Sequence, residues 1–259
     1  MSSGSVILLL AVLALAVFLA VKFGKHFKRI RCGAFVSFTG GVKCGKSTVS
    51  LNVALREYKA RRRAYLVRKV FGKKDEEPLL YSNIPLAVPY VPLTRELLLR
   101  EKRFNYKSVI FIDEASLVAD SMSFKDDTIN DNLRDFTKLI AHETRGGCLI
   151  WNSHCIGDLH FAFKRTTSQY FYIDRLIKWI PFVCVARIVE QRYSEDGSIL
   201  TVDTEDVASK YRWYVFSKKT WKYFDCYAFS KITDHLQVDK SVCKSNLDLS
   251  TDKIIRFRK

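Results

Sequence analysis

Residues Gly40–Ser47 read GGVKCGKS, a complete GxxxxGK[ST] pattern. The stretch before it, Gly33–Thr39 (GAFVSFT), is a short β-rich run. After it, Ser47–Arg62 carries apolar residues at Val49, Val53, Ala54 and Tyr58 with helical spacing. Strand, glycine loop and helix in that order give the pattern a physical meaning. Gly40 and Gly45 permit the backbone angles that aim successive amide N–H groups at a phosphate chain, and the helix N-terminus adds its partial positive charge. Gly40, Gly41, Val42, Lys43, Cys44, Gly45, Lys46, Ser47 and Thr48 therefore form the expected cradle for ATP. Lys46 is expected to reach the β- and γ-phosphates, Ser47 to place its hydroxyl on Mg2+, and Thr48 to continue the helix.

The second half of the expected site is Val109–Glu114 (VIFIDE), four apolar residues suited to a strand buried on both faces, ending in two carboxylates. Asp113 is expected to hold Mg2+ through water and Glu114 to polarise the attacking water, as in NTPases that insert an extra strand between the phosphate-loop strand and the magnesium strand. Cys148–Trp151 (CLIW) is the next buried strand, followed by Asn152, Ser153 and His154. Of these, Ser153 is the expected γ-phosphate sensor, against the plainer reading of a hydrogen-bonded strand end. Arg145, before this strand, and Arg165, after it, are candidate fingers for a neighbouring subunit's nucleotide, against the plainer reading of surface arginines. The predicted fold class is α/β: a P-loop NTPase of the ASCE, RecA-like kind, with a mainly parallel sheet and helices on both faces.

The chain has 259 residues, enough for one such domain and an appendage. Its net charge of +16 predicts affinity for polyanions, either nucleic acid or anionic headgroups. Seven cysteines with no CxxC pair argue against a zinc ribbon or disulfide framework. Met1–Val21 lacks any charged side chain, and Val6–Val21 is unbroken apolar sequence. This predicts a transmembrane helix. Lys22, Lys25, Lys28, Arg29 and Arg31 follow at once, which places the C-terminal side in the cytoplasm. A cleaved signal peptide fits less well because the basic residues follow the apolar run, and a buried core helix fits less well because the run has no polar face. The expected division is a helix and basic linker over 1–31, an ATPase core over 32–180, a β-rich extension over 181–240 and a basic tail over 241–259.

The residues also resemble those of a family, the zonular occludens toxin-like proteins, which include assembly ATPases of filamentous phages and stand near the HerA/FtsK type of DNA-translocating NTPases. The resemblance covers about residues 35–172. It rests on GGVKCGKS, on YSNIPL at Tyr81–Leu86, on VIFIDEA at Val109–Ala115 and on HETRGGCLIWNS at His142–Ser153. It implies a membrane-anchored ATPase that forms a homo-oligomeric ring, plausibly of six subunits, and powers phage extrusion or the movement of single-stranded DNA. Phage coat or assembly proteins would be partners, and the host inner membrane the location. The family commonly carries glutamine where this chain has Ser153, and its membrane helix usually follows the ATPase domain.

Two further features carry charge and aromatic surface. Arg56–Lys74 holds nine Lys or Arg residues, read as the end of the first helix and a following strand that face DNA, lipid or solvent. Tyr211–Phe229 holds nine aromatics and reads as a hairpin turning at Ser217–Thr220. Trp213, Tyr214, Trp221 and Tyr223 with Lys218, Lys219 and Lys222 would form a stacking platform, or the hairpin would simply pack on the main sheet. An earlier hairpin is expected at Val183–Val202, turning at Glu195–Ser198. Rival functions are a conjugation-type DNA-coupling ATPase and a nucleotide-gated membrane scaffold that recruits coat or secretion components.

Overall fold

The computed structural model describes residues 30, 32–98, 102–118, 127–154, 159, 161–191 and 211–224. The expected transmembrane helix, the turn at Glu195–Ser198 and the basic tail lie outside them. No helix among the described residues is long and apolar enough to cross a membrane.

In chain order the elements are β1 (Phe35–Gly40), α1 (Lys46–Val70), β2 (Leu80–Ser82), β3 (Val91–Pro92), α2 (Arg95–Leu98), β4 (Val109–Ile112), α3 (Ala115–Val118), α4 (Asp127–Glu143), β5 (Cys148–Asn152), α5 (Phe161–Thr166), β6 (Gln169–Ile177), β7 (Val183–Gln191) and β8 (Tyr211–Ser217). The strands form one sheet in the order β3-β2-β4-β5-β1-β6-β7-β8. From β3 to β6 every pairing is parallel, and β7 and β8 continue the sheet antiparallel. β5 lies between β1 and β4, so the extra-strand arrangement expected from the sequence is present.

Alternation along each strand sends successive side chains to opposite faces, and both faces are covered. On one side Val36, Phe38, Phe111 and Ile150 pack against Val49, Val53 and Ala54 of α1. On the other Phe35, Ile110, Ile112, Leu149 and Trp151 pack against Phe136 of α4 and Phe163 of α5. Phe163 is central there, with ring contacts to Phe35, Phe136 and Trp151.

Three expectations change. The strand read after Arg62 is helix, because no breaker interrupts α1 before Gly72, and ion pairs from Arg62 to Glu77 and Arg68 to Asp75 tie its last turns to the chain that follows. The aromatic segment is not a hairpin. Tyr211–Ser217 pairs with β7, and Lys218–Lys222 forms a 3-10 helix capped by the Ser217 hydroxyl, which accepts from the Lys219 N–H. The antiparallel partner of β7 across the 192–210 connection is thus Tyr211–Ser217. Tyr214 and Phe216 are buried in the main core, and the Tyr214 hydroxyl donates to Asn52 Oδ1 on α1 at 2.6 Å. They face helix α1, which removes Tyr214 from any stacking platform.

Truncating Phe163 to alanine deletes the ring that joins β1, β5 and α4. Urea unfolding of Phe163→Ala should show a loss of about 3–5 kcal/mol; a loss below about 1 kcal/mol would mean that this face of the sheet is not the packed layer described.

Candidate nucleotide-binding site

The strand order β4-β5-β1 brings the C-terminal ends of three parallel strands side by side, and Gly40, Asn152 and Asp113 meet there. This is the edge where open α/β sheets place their ligands. The phosphate loop leaves β1 at Gly40 with φ 150°, and α1 is capped by Gly45 at φ 91°. A Cβ on Gly45 would lie 2.4 Å from Leu176 Cδ2, and one on Gly40 would lie 2.5 Å from the Ile173 carbonyl oxygen. Gly40 is therefore demanded by backbone angle and by the approach of the β6 backbone, and Gly45 by its backbone angle. Lys43 takes the left-handed conformation at φ 60° and is exposed with Gly41 and Val42, while Cys44 is half-buried and Thr48 buried. Burial pushes the Cys44 thiol up, the Lys46 charge opposing it.

Lys46 is buried, and its Nζ donates to the carbonyl oxygens of Gly40 at 3.0 Å and Gly41 at 2.9 Å. A third partner, His154 Nδ1, stands at 2.8 Å. Desolvation lowers the lysine's pKa, and the nearby Cys44, Glu114 and Asp113 oppose that shift. The other ring nitrogen of His154, Nε2, faces Glu114 Oε2 at 3.4 Å. A relay of side chains thus runs from Lys46 through His154 to Glu114.

The carboxylate pair is held from several sides. Glu114 has φ 49°, a left-handed conformation uncommon for a side chain of this size. Its N–H donates to Asn152 Oδ1 at 3.0 Å, and its Oε1 accepts from the hydroxyls of Ser116 at 2.9 Å and Ser153 at 3.1 Å and from the His154 N–H at 3.0 Å. Asp113 Oδ1 accepts from Asn152 Nδ2 at 2.5 Å. The backbone of Asp113 is bracketed by Asn83, whose Oδ1 accepts from its N–H at 2.8 Å and whose Nδ2 donates to its carbonyl at 2.7 Å. Burial pushes the Asp113 carboxyl up, while hydrogen bonds from Asn152 and Ser47 pull it down.

The structure therefore brings Gly40, Gly45, Lys46, Ser47, Asp113, Glu114 and Ser153 together at this edge, and places Ser153 on the Glu114 carboxylate. Arg145 and Arg165 lie elsewhere. Arg145 precedes β5, whose far end carries Asn152, and a five-residue strand spans roughly 16 Å. Its guanidinium stacks 4.2 Å from the Tyr106 ring centroid. Arg165 is exposed on α5, ahead of the N-terminal end of β6. Asn83, Asn152 and His154 were not singled out by motif. Their signal was polar residues directly after β-rich runs, Asn83 inside YSNIPL and the other two at the end of CLIW.

A glycine loop wrapping a buried lysine, a helix opening at its end, and a carboxylate pair one strand beyond an inserted neighbour define a class: the chain is a P-loop NTPase, built to bind a nucleotide. Solved structures similar to it include the N-terminal domain of zonular occludens toxin from Neisseria meningitidis, at 13% identity and TM-score 0.45, with 75% of this chain and 100% of that one covered. They also include the genome packaging NTPase B204 from Sulfolobus turreted icosahedral virus 2 in complex with ATP-gammaS, at 11% identity and TM-score 0.35, covering 70% and 96%. A DnaB-like replicative helicase matches at 8% identity and TM-score 0.31, covering 65% and 57%. No family model matches the chain, and no curated protein matches it in sequence. The class rests on the chain's own strand order and loop geometry.

Two outcomes follow. Asp113→Asn removes a charge whose ionised form burial disfavours, while its side-chain oxygen can still accept from Asn152. Because the folded-state pKa is raised, the ionised group costs stability at neutral pH. The nucleotide-free variant should melt at a higher temperature than wild type in a thermal shift series at pH 7, with the gap narrowing as pH falls towards the carboxylate range; an unchanged or lower melting temperature would contradict the burial argument. Lys46→Ala should lose most nucleotide affinity, measured by fluorescent-nucleotide titration, and retention of wild-type affinity would remove Lys46 from the phosphate site.

Proposed function

We propose that this chain is a membrane-anchored, Mg2+-dependent ATPase that works as an oligomeric motor, moving single-stranded DNA or assembling a filamentous particle at the membrane. The observation that carries the enzymatic part is the restraint on Glu114. A carboxylate held by two hydroxyls and a backbone N–H, on a left-handed residue, is positioned as a group that orients a water molecule is positioned. A module that only binds nucleotide has no need of it.

The residues present fit a nucleotide with its cation. Ser47 and Asp113 offer hard oxygen donors beside each other, which suits Mg2+, and Lys46 and the amides of residues 41–47 suit the phosphates. Ser47 and Asp113 would hold the ion, whose positive charge would offset the charge of the phosphates. Within the chain, Lys46 exchanges its loop carbonyl partners for phosphate oxygens, Glu114 accepts a hydrogen bond from water, and His154 links the two. Ser153 and Asn152 hold the carboxylates in register. A neighbouring subunit's arginine would complete the site, since Arg145 and Arg165 stand away from their own chain's phosphate loop.

A substrate surface lies beside this edge. β6 runs parallel to β1 with Ile173 opposite Gly40, so the turn after Ile177 projects beyond the phosphate-loop edge. There Trp179 is 82% and Phe182 86% exposed, Phe182 at φ 62°, and Lys178 Nζ stands 4.6 Å from the ring centroid of half-exposed Trp221. Lys218 joins through its N–H, which donates to the Phe182 carbonyl at 3.0 Å. Exposed rings interleaved with lysines are the surface that single-stranded nucleic acid stacks on. The anchoring part of the proposal rests on the apolar run Val6–Val21 and the basic residues after it.

Two measurements test the motor. Glu114→Gln should bind ATP with about wild-type affinity yet lose turnover by about 100-fold or more; an unchanged rate would take Glu114 out of the water-activating role. Steady-state ATPase activity of the full chain should rise with single-stranded DNA and lose that rise as salt increases. Trp179→Ala/Phe182→Ala should need at least about tenfold more DNA for the same stimulation at unchanged basal turnover. Normal basal turnover with no DNA response would shift the reading to a motor acting on coat protein.

A further inference from the structure

α1 is longer than the domain it covers. Its 25 residues span about 37 Å, and it reaches the N-terminal edge of the sheet at Arg61. There the Arg61 guanidinium donates to the carbonyl oxygens of Lys107 and Gly146, just ahead of β4 and β5. Residues 62–71 therefore project beyond the sheet, by roughly 13–15 Å at 1.5 Å per residue. Their outward surface is apolar. Leu66 is 48%, Val67 57%, Val70 85% and Phe71 78% exposed, while Tyr65 on the other side is buried. Leu66 with Val70, and Val67 with Phe71, are i,i+4 pairs, so the four form one stripe.

The rim of this stripe is basic. The acids that follow are engaged: Asp75 by Arg68, Glu76 by Arg103 and Glu77 by Arg62. Arg63, Lys69, Lys73 and Lys74 are exposed around the stripe and keep their charge for an external anion. Chain entry adds the orientation. The Ile30 carbonyl oxygen accepts from Arg56 Nη2 at 2.6 Å, and the segment from Ile30 leads to the start of β1. Phe35 opens β1 at the edge from which α1 protrudes, with Ile30 five residues before it in the chain, and the phosphate loop lies at the opposite edge.

We infer that the projecting tip of α1 is a second membrane contact, in which Leu66, Val67, Val70 and Phe71 enter the headgroup region of an anionic bilayer while Arg63, Lys69, Lys73 and Lys74 meet its phosphates. An apolar stripe rimmed by lysine and arginine is the pattern of an interfacial helix. Three of the four apolar side chains are aliphatic and offer no ring for a base to stack on, which separates this surface from the Trp179 turn. The inference takes its orientation from the proposed anchor. It implies that the nucleotide edge faces away from the bilayer.

The test uses the full chain in phosphatidylcholine vesicles with or without phosphatidylglycerol, made with ordinary or acyl-brominated lipid. Comparing Phe71→Trp with wild type isolates the emission of one added tryptophan. That emission should fall at least twofold in brominated anionic vesicles and shift to the blue, and Lys73→Glu/Lys74→Glu in the same background should abolish most of the quenching. Unquenched emission in anionic vesicles overturns the proposal. If such unquenched emission shifts to the blue with rising chain concentration, the stripe is an interface between copies. Carbonate washing decides the anchor separately: a chain stripped from the vesicles sinks the anchoring reading, and quenching before the wash still judges the tip.

Discussion

Every polar atom of the Asn152 side chain is engaged at the point where three strands end. Nδ2 donates to Asp113 Oδ1 and to Ser50 Oγ at 2.9 Å, and Oδ1 accepts from the Glu114 N–H. One buried amide thereby joins β5 to the carboxylates after β4 and to the helix after the phosphate loop. An amide suits this position because it donates and accepts at once, whereas a carboxylate would repel Asp113 and a hydrophobic residue would leave buried groups without partners. The parallel order β4-β5-β1 makes the junction possible, since it alone puts these strand ends within one side chain's reach.

Around that junction the backbone departs from ordinary conformations. Glu114, Lys43 and Gly45 all have positive φ, and all border the phosphate loop or the carboxylate pair. Such conformations cost of order 1–3 kcal/mol each for residues other than glycine and persist where the surroundings over-determine them. Here the surroundings are the hydrogen bonds to Glu114 and the close approach of Leu176 to Gly45. The core supplies the rigidity: both faces of the sheet are packed with aromatic and aliphatic side chains, so the strand ends have little freedom to relax.

The large positive charge is distributed with the same logic. Arginines at 61, 62 and 68 tie the end of α1 to the sheet edge and to the acids at 75 and 77, so part of the charge is structural. The lysines at 178 and 218 gather beside the exposed rings near the phosphate loop, and those at 69, 73 and 74 gather at the far end of α1. These two exposed surfaces lie at opposite edges of the sheet and differ in chemistry, one aromatic and the other mainly aliphatic.

What the amino-acid sequence determined by itself was the local chemistry of the site: a glycine loop between strand and helix, a buried strand ending in Asp113 and Glu114, and a polar end to the CLIW strand. These were legible because each depends on a few adjacent residues and on spacing along one element. Tertiary structure decided which polar residues meet. Asn83, Asn152 and His154 act across strands far apart in the chain, and no spacing rule registers a contact of that kind. It also decided the fate of the aromatic segment, because the residues of Tyr211–Ser217 found an antiparallel partner in β7 and buried Tyr214 against α1 instead of folding on themselves. The length of α1 past Arg62 was not legible for a related reason: it is maintained by ion pairs to residues 75 and 77 that exist only once the chain has turned back.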